Sequence, residues 1–278
     1  MQAEKQCKKC IKSLTIKTLE LSSPLKSKQE NCALADKLTA NFRLTRVPAK
    51  IFTGINRKIK NFSKTKDPFR QIKEREMLLA RRVAKKIRPP SSAGLNTLLL
   101  FSAKGNTLDF FKDIEFSLNQ MQEKSVLEIA HIREFRKKLK RSKRVLFFAD
   151  NAGEIFFDLP LINYLSRTVE VSYVVKAAPV QNDMTIREAR ISGLYKRFPR
   201  IISSGNDAVG IELETASKLL LRELNRSDII LAKGMGYYET FTELPRFEGK
   251  IFHLLMAKCL PVARSLGVKK ESYVFIGR

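Results

Sequence analysis

From residue 145 to residue 276 short apolar runs alternate with longer amphipathic stretches, so the pattern predicts strand and helix in turn. The runs at 145–149, 171–175, 200–203, 228–232 and 273–276 predict strands, because uninterrupted apolar positions between breakers suit a strand covered on both faces. Between them, residues 155–166, 182–193 and 212–225 predict helices, and a last helix runs from about 252 to Gly267. Such alternation implies βαβ units with right-handed crossovers in a parallel sheet. The first half reads differently. Ile11, Leu14, Leu19 and Leu21 among lysines predict an amphipathic helix over 5–22 that stops before Pro24. Asp67-Pro68-Phe69 has the form of a helix start with Pro in the first turn, launching a helix that continues to about Lys86, before Pro89-Pro90. Residues 91–101 form an apolar helix that runs into Gly105-Asn106, and 125–140 a basic one. The expected fold is a three-layer α/β/α arrangement with a mostly parallel central sheet plus an N-terminal helical subdomain. Residues 1–142 would form a basic helical subdomain, a cap over the α/β domain of residues 143–278.

Composition supports a large core and sharpens the contrast between the halves. The chain has 278 residues, 44% of them hydrophobic, enough to bury a full core. No apolar run approaches the roughly 18 residues that a membrane span needs, and the N-terminus lacks the apolar stretch of a signal peptide, so a cytoplasmic protein without a membrane partner is expected. Net charge is +25. Residues 1–148 carry 35 Lys and Arg against 13 Asp and Glu, while 149–278 carry 18 against 15. A basic surface of this kind holds nucleic acid or steers small anions. No nucleic-acid motif accompanies the charge and Trp is absent, so steering of a small anionic substrate is favoured and nucleic acid is the less favoured partner. The four cysteines are Cys7, Cys10, Cys32 and Cys259. With one CxxC pair only, a four-cysteine zinc site would require Cys32 and Cys259 to join it in space, and reduced thiols are the simpler expectation.

Three strand ends carry the candidate chemistry. The run Val145-Leu-Phe-Phe-Ala stops on Asp150-Asn151-Ala-Gly153-Glu154. The second strand leads past Lys176 to Asn182-Asp183-Met-Thr185, and the fourth ends in Lys233-Gly234-Met235-Gly236. Parallel strands present their carboxyl ends along one edge, where ligands bind in such sheets. Two carboxylates and an amide carbonyl are hard oxygen donors that suit a divalent cation with positions left for water and phosphate. A lysine within a glycine turn suits phosphate oxygens. Each part also has a plainer reading: Asp150, Asn151, Asn182 and Asp183 are all good helix caps, and Lys233 could be a solvated turn residue. There is no GxxxxGK[ST] loop, which disfavours a P-loop hydrolase, and Ala152 breaks the Asp-x-Asp of haloacid-dehalogenase phosphatases.

These motifs, with Cys7-Lys-Lys-Cys10, Gly105-Asn106-x-x-Asp109-Phe110 and Lys258-Cys259, resemble in order and spacing the damage-control phosphatases, the group that includes the acidic-residue methyltransferase-like proteins. The resemblance covers nearly the whole chain. It implies a metal-dependent hydrolase of phosphomonoesters of sugars or damaged phosphometabolites, supported by Mn²⁺, Mg²⁺, Co²⁺ or Ni²⁺. By it Asp150, Asn151 and Asp183 are metal ligands, and Asp150, Lys233 and Glu154 are catalytic. Substrate contacts fall on Asn106, Lys233, Met235, Gly236, Tyr237, Tyr238 and Lys258, with Asp109 beside Asn106 at the inner edge of the cap. Family members often have Asn where this chain has Tyr237, which alters a polar substrate contact. Asp150 is either a ligand alone or also the nucleophile. The rival readings are a nucleic-acid-binding protein that uses the basic half and a sugar-phosphate binding module without catalysis.

Overall fold

The computed structural model describes residues 1–23, 26–63, 65–107 and 114–278, with only the backbone of 114, 115 and 118. Pro24, Asp109 and Phe110 lie outside them. At the centre is a seven-stranded sheet of β1 (Leu127–Ala130), β2 (Arg144–Phe148), β3 (Glu170–Val175), β4 (Ile201–Ser203), β5 (Ile229–Lys233), β6 (Ile251–Met256) and β7 (Tyr273–Gly277). Their spatial order is β1-β7-β6-β5-β2-β3-β4, parallel throughout except where β6 meets β7. From β2 the chain builds outward through β3 to β4, then returns across β2 to add β5 and β6 on its other side. Strand order therefore reverses between β2 and β5, and a crevice opens at the strand carboxyl ends where that happens.

Side chains on the strands alternate between two apolar layers, as the period of two requires. Val145, Phe147, Tyr173, Leu231 and Leu254 point to one layer; Leu146, Phe148, Val174, Ile230 and Ala232 point to the other. The first layer is covered by α5 (Leu95–Gly105), α7 (Ile132–Leu139), α8 (Ile155–Leu165) and α9 (Ile186–Ile191), the second by α10 (Lys218–Arg226) and α11 (Met235–Phe241). Between α5 and β1, α6 (Ile114–Gln122) packs with α4 (Arg70–Lys86), and α12 (Leu260–Leu266) ends on Gly267 in the left-handed conformation. Burial on both faces explains the unbroken apolar runs.

The N-terminal helices α1 (Lys5–Ser22), α2 (Lys28–Thr39) and α3 (Pro48–Phe62) enclose a core of their own, including Leu14, Leu19, Ala35, Phe52 and Ile59. Ser27 and Glu30 form a reciprocal capping box at α2, and Pro48 starts α3 where a missing N–H costs nothing. The unit is clasped to the sheet domain by Arg57, which pairs with Asp207 at 2.8 Å and forks onto Glu212, and by Lys60 with Asp207. No helix among the described residues is long and apolar enough to cross a membrane.

Several boundaries differ from the sequence reading. Residues 125–140 are not one helix: β1 joins the sheet edge beside β7, and α7 begins only at Ile132. The half-exposed alternation of β1 fits a helix face over so short a span. The expected last helix is two elements, β6 and α12, because Phe252-His-Leu-Leu-Met is a fully buried strand built from residues that also favour helices. Lys258 consequently lies in the loop after β6. Helix α4 starts at Arg70, and Asp67 pairs with the buried Lys73 at 2.8 Å without capping that helix.

His253, in the middle of β6, is wholly buried and neither ring nitrogen has a hydrogen-bond partner among the described residues. Burial, with Arg278 nearby, holds its pKa at about 3. The native ring is thus neutral while the unfolded chain takes up a proton below the ordinary value near 6.5, so stability falls as pH drops from there toward 3. Between pH 6.5 and 4 this amounts to roughly 3 kcal/mol. Urea unfolding at pH 7 and near pH 4 should show most of that difference removed in His253→Phe; an unchanged pH dependence would count against the assignment.

Candidate active site

Asp150 leaves the end of the central strand β2, at the reversal in strand order, and three neighbouring loops close around it. The loop after β3 is stitched to it by the main chain: Met184 N donates to Asp150 O at 2.7 Å and Ala152 N to Asn182 O at 2.8 Å. Asn151 and Asp183 then face each other as an isolated antiparallel bridge. On the other side the β5–α11 turn passes directly over the carboxylate. Gly234 sits there at φ +81°, and a Cβ on it would fall 2.0 Å from Asp150 Oδ2. Only glycine fits both the backbone angle and the approach.

The plainer capping reading does not account for Asp183. Thr185 caps α9, its hydroxyl accepting from Arg187 N at 3.1 Å, while Asp183 is buried two residues earlier. Asn151 does cap the short 3₁₀ turn 152–154 that leads into α8, in a reciprocal box with Glu154. Its Nδ2 donates to Glu154 Oε1 at 2.7 Å, which assigns the acceptor role to its Oδ1. Asn106, at the end of α5, donates through Nδ2 to Asp150 Oδ2 at 2.6 Å and to Glu154 Oε1 at 2.8 Å, and accepts from Met256 N at 3.0 Å. One asparagine so ties α5, β2 and β6 together.

A cavity of about 290 Å³ opens here, lined by Asn106, Asp150, Asn151, Asp183, Met235, Gly236 and Lys258 together with Gln181, Asn182 and Val209. Cys10 and Leu14 of α1 and Cys259 complete its wall, so the helical unit contributes to the site. Burial pushes the Cys259 thiol up to about 12. Among the described residues no three His, Cys, Asp or Glu side chains converge as a ligand set, and the side-chain oxygens of the cavity come from two carboxylates and from amides.

Lys233, expected at the phosphate, does not line the cavity. It shares the parity of Ile229 and Leu231, so its side chain points into the α5–α8 layer. There it is wholly buried, paired with Glu154 and Asp158 at 2.5 Å each and donating to Ser102 O at 2.9 Å. Burial acts to lower its pKa, but Asp158 and Glu154 outweigh it and hold the ammonium above its ordinary range. Tyr237 and Tyr238 are also interior: Tyr237 lies under the Lys176 ammonium, 4.4 Å from its ring centre, and the Tyr238 hydroxyl meets Ser265 at 2.9 Å. Glu239, in α11, accepts from Ala49 N at 2.9 Å and is raised by burial to about 7.

Two residues gain weight from the structure. Lys176 continues β3 with the opposite parity, is fully buried, donates to Gly210 O at 2.7 Å and stands 3.7 Å from Asp183 Oδ2. Its only signal in the sequence was a cation at a strand end. Asp158, one turn after Glu154, accepts from Ser102 Oγ at 2.7 Å and from Tyr173 OH at 2.8 Å, and read as an ordinary residue of an apolar helix.

The acids at this centre outnumber its buried cations. Asp150, Glu154, Asp158, Asp183 and Glu188 face the buried Lys73, Lys176 and Lys233, a formal surplus of two negative charges. Burial, then Glu154 and Asp183, raise Asp150 well above the carboxylate range; burial, offset in part by Lys176 and Lys73, raises Asp183 to about 6. Hard oxygen donors with that surplus fit a divalent cation.

Comparison with known proteins finds matches over most of the chain. The model of the damage-control phosphatase ARMT1-like domain matches residues 3–274. A damage-control phosphatase of Pyrococcus horikoshii is 30% identical over 99% of this chain and 97% of its own, and one of Archaeoglobus fulgidus is 32% identical over 83% of each. An uncharacterized protein of Methanocaldococcus jannaschii is 34% identical over 84% of this chain and 80% of its own. The crystal structure of a DUF89 family protein from Pyrococcus horikoshii superposes with a TM-score of 0.86 at 29% identity, covering 100% of this chain and 99% of that one. With the family model spanning residues 3–274 and the whole fold superposing, the chain belongs to the damage-control phosphatase ARMT1-like family.

Proposed function

We propose that this chain hydrolyses phosphomonoesters of small metabolites, sugar phosphates or damaged phosphometabolites, with a divalent cation held by Asp150, Asn151 and Asp183. The surplus of buried negative charge around those donors is the observation that carries the reading. A divalent ion bound there supplies electrostatic stabilisation of charge developing on phosphoryl oxygens. Asn106 fixes the orientation of Asp150, and Lys176 compensates Asp183 from beneath. Lys258, on the cavity wall after β6, is the cation placed to meet a substrate phosphate. Met235 and Gly236 form the neighbouring wall, where the Lys-Gly-x-Gly segment keeps the backbone close to the carboxylate. The α1–α3 unit acts as a cap through Cys10 and Leu14 of α1, and the charge of the N-terminal half draws anionic substrates toward the opening. Lys233 serves as a positioning residue that holds Glu154, with no contact to substrate.

Turnover of a generic aryl phosphate and of a sugar-phosphate panel, each with added Mn²⁺, Mg²⁺, Co²⁺ or Ni²⁺, tests the proposal. Metal-dependent release of phosphate is expected, abolished in Asp183→Ala with the fold retained; binding of sugar phosphate without turnover by the wild-type chain would replace the enzyme with a binding module. Asn106→Ala should lower activity by about 10–100-fold, the usual effect of removing a side chain that orients a ligand. Gly234→Ala should displace the Asp150 carboxylate and weaken metal binding, read by calorimetry, and normal affinity there would contradict the close packing described. Lys233→Met leaves two buried carboxylates without their cation and should cost about 3–5 kcal/mol in urea unfolding, the mark of a residue acting by structure.

A further inference from the structure

A second site lies away from the active-site cavity, where the end of α4 crosses α8. Two adjoining cavities of about 290 and 270 Å³ share Arg88 and Pro160 as lining residues. Arg81, Lys85 and Arg197 line one and Arg167 the other, so five cations border a continuous groove whose lining includes no acidic residue. All five are exposed, and none has an ion pair among the described residues. Elsewhere the exposed Arg70 and the half-buried Arg187 both pair with Glu74. With 53 Lys and Arg against 28 Asp and Glu the chain has too few acids to pair every cation, and what marks this groove is that five cations border joined cavities over an apolar floor.

The floor is apolar and partly aromatic. Phe156, Leu159 and Tyr164 of α8 provide it, and the Arg167 guanidinium stands 5.8 Å over the Tyr164 ring. Pro160, which lines both cavities, interrupts the main-chain ladder of α8 there, having no N–H to give. A small phosphate ester would need donors that converge and are buried; these donors are exposed and strung out in a row. Cations in a row over a floor of aromatic and apolar side chains match a linear polyanion whose phosphates repeat and whose bases stack.

We infer that the groove between α4 and α8 binds single-stranded nucleic acid. Phosphates lie along Arg81, Lys85, Arg88 and Arg197, and a base stacks beside Arg167 on Tyr164. Affinity comes mainly from released counterions, so it falls steeply with salt.

The test uses the full chain and a labelled single-stranded RNA of about 20 nucleotides, followed by fluorescence anisotropy over a salt series from about 0.05 to 0.2 M. Two charge-reversed proteins are compared with the wild type: Arg88→Glu with Arg167→Glu in the groove, and Arg133→Glu with Arg141→Glu on and just beyond the equally basic α7. Thermal melting and metal-dependent phosphatase activity establish that both remain folded. The expected result is at least about a tenfold loss of affinity and a shallower salt slope in the groove variant, with less than about a threefold loss in the α7 variant. Equal losses in the two would mean that net charge alone attracts RNA and would overturn the site. So would no binding near 0.1 M salt, or a groove-dependent affinity for anionic lipid vesicles without any for RNA.

Discussion

The active-site end of the sheet depends on one buried ammonium. Lys233 leaves β5 toward the α5–α8 layer and meets Glu154 and Asp158 there, both fully shielded from water. Glu154, held by that contact, receives the amides of Asn106 and Asn151, and Asn106 in turn holds Asp150. A chain of charge and hydrogen bonds thus runs from the core to the cavity floor. Such a cluster need add little net stability, because desolvation offsets the attraction, but each member fixes the orientation of the next.

Above that cluster the balance of charge reverses. Asp183 has Lys176 and Lys73 as buried counter-charges, and both Asp150 and Asp183 are raised by burial and by Glu154. Gly234 leaves out the Cβ that would fill the space over Asp150, and the Asn151–Asp183 bridge draws two loops together at the switch in strand order. An acidic centre maintained by so many separate elements is what a cation-dependent enzyme requires. The basic groove on the α4–α8 side has the opposite construction, with exposed cations and no buried partner, which is why it suits a long, weakly held polyanion and not a small substrate.

The parallel α/β character was legible because doubly covered strands must be continuously apolar, and β2, β3 and β5 are. The pattern failed at β1 and β6 for different reasons. β1 is an edge strand with one wet face over four residues, too short for its period to be distinguished. β6 is buried on every side, so its Phe-His-Leu-Leu-Met run carries no period at all, and the helix preference of Leu and Met misleads.

The residues at the strand ends behave in the same divided way. Hard oxygen donors following an apolar run mark Asp150, Asn151 and Asp183 from sequence, since a strand end at a switch point must face the crevice. Lys233 and Lys176 are both cations at strand ends, and nothing local distinguishes them. What separates them is strand parity combined with the partner each layer supplies: Asp158 from α8 on one face, and Gly210 with the Tyr237 ring on the other. By itself the sequence determined the layers, the sheet type and the acidic strand ends, all of which follow from local periodicity and residue chemistry. Only the tertiary structure decided which lysine is buried against which acid and where the uncovered arginines line up, because those depend on elements far apart in the chain meeting across a packed core.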